Sequence, residues 1–469
     1  MAQLVRGLGL GAAISINVAN TIGTGVFLKA RVMTCNVGDP VSVMGVWLAA
    51  GLLVLAGALT YSELAAMMPE AGGEYVILRE TYGRRWAFLY GWTYTGISRT
   101  ASLAAQAVSF AIFVNILGGG RFDAMLSAIA IAAIAAATAL NCLAVNTTGR
   151  IAVALTVIKS AVVAAVGIAA FVLAQGRWDH YLLANTAGAC TGVAEAARGG
   201  FAGFAAAMLG ALWGYQGWQN LTPLIGEVRD PQRNISRAYV YALLIVATLY
   251  LFANASYFYV LTPDEVASVA VSSSVATEVL TRVLGPGTTA IMAMGLLVSS
   301  AGSLHTNLAS TMRVPYAMAQ DGLHFGFLRA LSPRTNVPVR SAIMLGAISA
   351  LLSLVGNYDR LTDAAIFALW TFYGLTASSV FVLRRRRPDA VRPYRTWGYP
   401  VVPALFLAAT GAILLSTLWT SPQSSLLGIA FTIAGLPLYA YWSKRAPAEA
   451  SAPVSDPPAV TPHPLPRQG

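Results

Sequence analysis

The sequence predicts an all-α polytopic membrane protein, and three observations carry that prediction. Only 10% of its 469 residues are charged while 57% are hydrophobic, whereas a soluble protein carries roughly a quarter charged residues. Apolar stretches of about twenty residues recur along nearly the whole chain, the length that bilayer thickness demands of a helix. Basic residues gather in alternate loops, the positive-inside pattern.

Taken in order, the hydropathy predicts twelve spans. The first covers 7–35 and is interrupted in its middle. The others lie near 41–67, 84–117, 122–145, 150–175, 201–227, 236–260, 287–312, 338–356, 362–383, 400–419 and 424–443. The first run continues well past the core of a signal peptide and other spans follow it, so it reads as a span. Segments 176–200 and 261–286 are long loops on one face. Residues 444–469, rich in Pro, Ala and Ser, read as a disordered tail behind a transmembrane domain of 1–443.

Twenty basic residues, from Arg6 through the run Arg384 to Arg387 to Arg445, fall on one face. Seven fall on the other: Lys29, Arg31, Arg121, Arg177, Arg198, Arg282 and Arg360. This asymmetry puts both termini in the cytoplasm, with the arginine run anchoring a span rather than binding nucleic acid. Cys35, Cys142 and Cys190 make no metal spacing and no disulfide framework, so neither metal nor cofactor is expected.

The stretch "NTIGTGVF" breaks the first span with Gly23, Thr24 and Gly25, and "LWGYQGWQNLTP" (212–223) breaks the sixth. An unpaired backbone group in hydrocarbon costs several kcal/mol, so such breaks persist only where they line an enclosed cavity. A single glycine in a membrane helix serves close packing. Two breaks at matching places in two five-helix halves point instead to a transporter's central site. There, the free N–H groups and positive dipole of one half-helix suit a carboxylate, and the free C=O groups of the other suit an ammonium. An α-amino acid satisfies both.

At these residues the chain resembles the amino acid–polyamine–organocation transporters. "NTIGTGVF" resembles their first-span signature, "YSELAAMMPEAGGEY" (61–75) their second-span end, and "GEVRDPQRNI" (226–235) the loop after the sixth span. "VLRRRRPDAVRPYRTWGYPVVP" and "GIAFTIAGLPLYAYW" are similar to the later linker and last span of the bacterial L-type branch. The resemblance implies a LeuT-type inverted repeat, with halves of about 7–175 and 201–383 and two extra helices in 400–443. It implies a substrate carboxylate on the N–H groups of Thr24 and Gly25, beside Gly23. The amino group then meets the C=O groups of Thr21, Trp213 and Gln216, with Trp213 as a lid. Ile97, Ser98 and Trp370 shape the side-chain pocket.

Gln216 is neutral where relatives that take cations carry an acid, and neither break holds a carboxylate to pair with a basic side chain. Neutral substrates, small or polar, are therefore expected. Lys159 lies within the fifth span, where an ionisable residue is a functional candidate by default. Snorkelling is the rival reading, but nine residues, about 13 Å of helix, separate it from Arg150. By resemblance, Lys159 takes the place of a sodium ion, bridging the Ala19 C=O and Ser303. This gives sodium-independent exchange, with proton-coupled symport, cationic substrates and an amino acid sensor as alternatives. Arg99, also intramembrane, is expected to pair with a backbone carbonyl.

No HExxH, paired intramembrane carboxylates or nucleophile–His arrangement speaks for an enzyme. In metazoan L-type transporters a cysteine in the loop after the third span holds a glycoprotein partner. Here that loop reads "LGGGRF", and no disulfide-linked partner is expected. Both termini cytoplasmic, in a bacterial inner membrane, is the expected location.

Overall fold

The computed structural model describes residues 4, 6–143, 145–270, 273–285, 287–355, 358–420 and 422–445. All but the first two residues of the expected tail 444–469 lie outside these. The described residues are helical, with one isolated bridge between Leu8 and Val228 and no named strand. In chain order the helices are α1 (Leu10–Thr21), α2 (Gly25–Val37), α3 (Pro40–Met67), α4 (Glu74–Tyr82), α5 (Arg84–Thr93) and α6 (Arg99–Leu117). There follow α7 (Leu126–Asn141), α8 (Val145–Leu173), α9 (Gly200–Gly214), α10 (Pro231–Val260), α11 (Pro263–Ser268) and α12 (Val275–Leu284). The last are α13 (Thr288–Thr311), α14 (Arg313–Gln320), α15 (Val339–Val355), α16 (Tyr358–Arg386), α17 (Val401–Thr420) and α18 (Pro422–Ser443).

Among the described residues seven helical stretches are long and apolar enough to cross a bilayer, and α1 with α2, bent by 44°, makes an eighth. The fold class is thus a polytopic all-helical one, and α9 and α15 are shorter apolar helices beside that set. Local chemistry sets the ends. Pro40 opens α3 and the Asp39 side chain accepts the Ser42 N–H at 2.8 Å, while Gly38 closes α2 with φ +85°. The stretch read as a plain loop, 261–286, contains α11 and α12; Thr262 and Glu265 form a capping box that starts α11.

A π turn, Tyr94–Ser98, joins α5 and α6 into one stretch. The sixth span is not two α half-helices: α9 ends at Gly214, a turn follows, and Thr222–Glu227 is a 3₁₀ helix. Gly217, at φ +107°, and Pro223 explain this, since the first adopts a conformation L side chains avoid and the second removes a donor. Packing centres on α10, which lies against α3, α1 and α8, with α13 against α6.

Candidate functional site

The two breaks lie against each other. A Cβ on Gly25 would stand 2.7 Å from the Gly214 Cα, and one on Gly217 would stand 2.4 Å from the Asn20 carbonyl oxygen. Glycine at these positions is therefore a condition of the approach. Gly25→Ala is expected to cost about 1–3 kcal/mol by overpacking against backbone that has no room to move. It should also cut transport, whereas Gly11→Ala, with open space around it, should do neither. Thermal unfolding and initial uptake rates of the two variants check this.

At the first break α1 ends at Thr21, Ile22 is extended, and α2 restarts at Gly25. In the first turn of α2 the Phe27 N–H donates to the Thr24 oxygen at 3.2 Å, which leaves the N–H groups of Gly25 and Val26 without an intrahelical acceptor. The carbonyl side is already partly engaged. Tyr250 Oη, fully buried on α10, lies 3.0 Å from the Thr21 oxygen and 2.8 Å from the Gly214 oxygen, so one hydroxyl clasps both helix ends. Sequence reasoning missed this residue, because one tyrosine in an apolar span reads as core.

Lys159, 2% exposed, donates from Nζ to the Ala19 oxygen at 2.7 Å, the Ile22 oxygen at 2.9 Å and Ser303 Oγ at 2.7 Å. All three hydrogens of the ammonium are used, and they tie α8 to the end of α1 and to α13.

A cavity of about 70 Å³ fills the angle between the breaks. It is lined by Asn20, Thr21, Gly23, Thr24, Gly25, Trp213, Gln216 and Ser303, with Ser102, Gln106, Ser109 and Ser300 facing them. A second cavity of about 590 Å³ continues outward past Trp213, Thr24, Gly25 and Ser109 toward Lys29 and Arg31. Trp213 lines both, at the junction.

Ile97, Ser98 and Trp370 line neither cavity. Ser98 is buried within the π turn, and Trp370 packs on Tyr373 and Phe406. In their place stand Ser102, Gln106 and Ser109, at i, i+4 and i+7, a polar stripe legible in the sequence. Arg99 does not pair with a backbone carbonyl. Its Nη2 donates to Tyr373 Oη at 3.1 Å, and its guanidinium sits 5.1 Å from the Tyr94 ring centroid. Gln216 Nε2 reaches the same hydroxyl at 3.0 Å, and Gln219 Nε2 also contacts it.

The arginine-rich face is closed. Glu227 and Arg313, 1% and 0% exposed, form a bidentate pair at 2.6 and 2.9 Å, and Leu8 N–H donates to the Glu227 backbone oxygen at 2.9 Å. Glu63 is buried against Arg384 and accepts the Thr396 N–H. Asp230 and Arg233 are exposed. On the opposite face Cys35 and Cys190 form a disulfide, Cα atoms 5.7 Å apart. This corrects the expectation of no disulfide: loop residues 185–199 fold back on the end of α2 through Asn185 N–H to Gly38 and Gly199 N–H to Asn36. A separation of 155 residues hides that pairing from sequence spacing. Among the described residues no group of three or more His, Cys, Asp or Glu is placed to hold a metal.

Residues 8–443 match the amino acid permease family. The chain is 31% identical to the serine/threonine exchanger SteT of Bacillus subtilis, covering 94% of this chain and 98% of that one. It is 29% identical to the human b(0,+)-type amino acid transporter 1, over 93% of this chain and 88% of the relative. It is 26% identical to the human cystine/glutamate transporter, over 94% and 87%.

Proposed function

The chain belongs to the amino acid permease family, and on that premise we propose that it carries neutral, small or polar L-amino acids by sodium-independent exchange. Amino acid transport itself is what the family and the exchangers and transporters similar to this chain support. The finer reading rests chiefly on the two breaks that meet at Gly25 and Gly214 around a polar cavity. Free N–H groups at the start of α2 receive the carboxylate, and carbonyls of Thr21, Trp213 and Gln216 receive the ammonium. Lys159 supplies a fixed cation to the Ala19 and Ile22 carbonyls and Ser303, the place a sodium ion would otherwise serve. Ile97, Ser98 and Trp370 are kept as residues behind the pocket wall, with Ser102 and Gln106 in contact with the side chain.

In this reading residues 1–443 form one transporter domain of twelve spans, two inverted five-span repeats and two further helices. The arginine-rich face is cytoplasmic, with both termini, in the cell membrane. The Cys35–Cys190 disulfide on the other face supports that orientation, since disulfides persist on the oxidising side.

The test is uptake of radiolabelled alanine and serine into proteoliposomes, empty or preloaded with unlabelled amino acid, without sodium, and with or without an inward proton gradient. Exchange requires uptake into preloaded vesicles alone. Accumulation in empty vesicles driven by the gradient would replace exchange by symport, and dependence on sodium would overturn the role of Lys159. Gln216→Asp should add lysine and arginine uptake at least about tenfold above wild type, one charge pair in a partly desolvated site. Continued rejection of both would remove the specificity argument.

A further inference from the structure

Among the described residues three carboxylates are fully buried, Glu63, Glu74 and Glu227. Two of them meet arginines through both oxygens, Glu63 with Arg384 and Glu227 with Arg313. Glu74 is different. It is 1% exposed, its Oε2 has no hydrogen-bond partner, and it enters no ion pair. A buried carboxylate with no arginine bonded to its oxygens is costly while charged and much less so once it holds a proton.

The place of Glu74 gives that proton a use. It opens α4, outside the spans, directly after Gly72 and Gly73. Those glycines are pressed on the 3₁₀ segment that forms the inner part of the sixth span. Gly72 N–H donates to the Pro223 oxygen at 3.2 Å, and a Cβ on Gly73 would stand 2.6 Å from the Thr222 carbonyl carbon. Residues 222–227 also carry Glu227, part of the closure of the arginine-rich face. An opening that moves this segment away from residues 71–74 would admit water to Glu74.

We propose that Glu74 is a proton-binding site linked to the cytoplasmic closure of the carrier, protonated while that face is closed and ionised when it opens. The proton enters from the cytoplasm and returns there, so the site biases the conformational equilibrium without carrying protons across the membrane. The groups that act on it are Arg99 together with the phenols of Tyr61, Tyr90, Tyr94, Tyr239 and Tyr373. Burial raises the Glu74 pKa to about 7, opposed by its own backbone N–H, by the Arg99 charge and by the Tyr90 hydroxyl. In water the group returns to roughly 4.3. The closed state therefore binds the extra proton between those values. The closed-to-open ratio falls by up to about tenfold per pH unit as pH rises through that window, and is constant above about 7.

The experiment places one reactive cysteine at the closure, Leu8→Cys with Cys142→Ala, in the full-length protein, and follows its labelling by a water-soluble maleimide from pH 5 to 8. Leu8 is 1% exposed while the face is closed. Glu74→Gln, which stays neutral, is the reference for the reagent's own pH dependence. The wild-type to Glu74→Gln rate ratio should rise up to about tenfold per unit to pH 7 and then level off. A ratio that does not change with pH overturns the proposal. Should Glu74→Gln fail to fold, free cysteine replaces it as reference, and a flat normalised wild-type curve overturns the proposal equally. Labelling needs no substrate, so this result stands apart from the uptake test.

Discussion

Lys159→Met is expected to lower exchange by about 100-fold or more while leaving the protein folded enough to purify. The substitution keeps the length and apolar stem of the side chain but removes an ammonium on which the Ala19 oxygen, the Ile22 oxygen and Ser303 Oγ all depend. Hydrogen bonds to a charged donor are worth about 1.5–3 kcal/mol each, and without the ammonium the Ala19 oxygen would keep only the long contact from Ser303 Oγ at 3.5 Å. Two of those acceptors belong to the end of α1, at the break, so losing the donor releases the backbone that shapes the cavity. Counterflow in preloaded vesicles measures the loss. Exchange within about threefold of wild type would mean that α1 keeps its position without Lys159.

The largest effect on stability is expected from Glu227→Ala. Arg313 is fully buried, and its guanidinium has Glu227 as its charged partner at 2.6 and 2.9 Å. Breaking a buried pair from one side strands the other charge, at about 3–5 kcal/mol. Removing both charges, as in Glu227→Met with Arg313→Leu, should recover most of that loss, because the uncompensated guanidinium goes as well. Arg313→Lys should not preserve wild-type stability, since an ammonium does not reproduce the planar two-point contact. Thermal unfolding of the purified variants distinguishes these cases. Equal losses in the single and double variants would show that packing at the closure, rather than charge pairing, carries the stability.

Long apolar runs make the spans legible: the run 84–117 coincides with one helical stretch, and Asp39 with Pro40 marks the start of α3 openly. The first break was legible because Gly23, Thr24 and Gly25 weaken a helix in apolar surroundings. Lys159 stands out in the sequence because a lysine within a span is rare, and its Nζ meets the Ala19 oxygen and Ser303 Oγ.

Other features are set by contacts and turns that local pattern does not show. The π turn at Tyr94–Ser98 inserts extra residues into a helical turn and rotates the face that follows, so Ser102, Gln106 and Ser109 meet the cavity while Ile97 and Ser98 do not. Arg313 reads as one more positive charge beside a span end, and only the three-dimensional approach of Glu227 makes it a buried partner. Tyr250 and the Cys35–Cys190 bond are likewise contacts between distant segments, visible in no local pattern.

The central claim is that exposed backbone at the two breaks holds an amino acid. The measurement that tests it most directly is an experimental structure of the protein with L-serine bound. The expected density lies in the small cavity, with the carboxylate within hydrogen-bond distance of the Thr24 and Gly25 N–H groups and the ammonium facing the Thr21, Trp213 and Gln216 carbonyls. Serine bound only in the outer cavity beside Lys29 and Arg31, with the space between the breaks empty, would contradict the account.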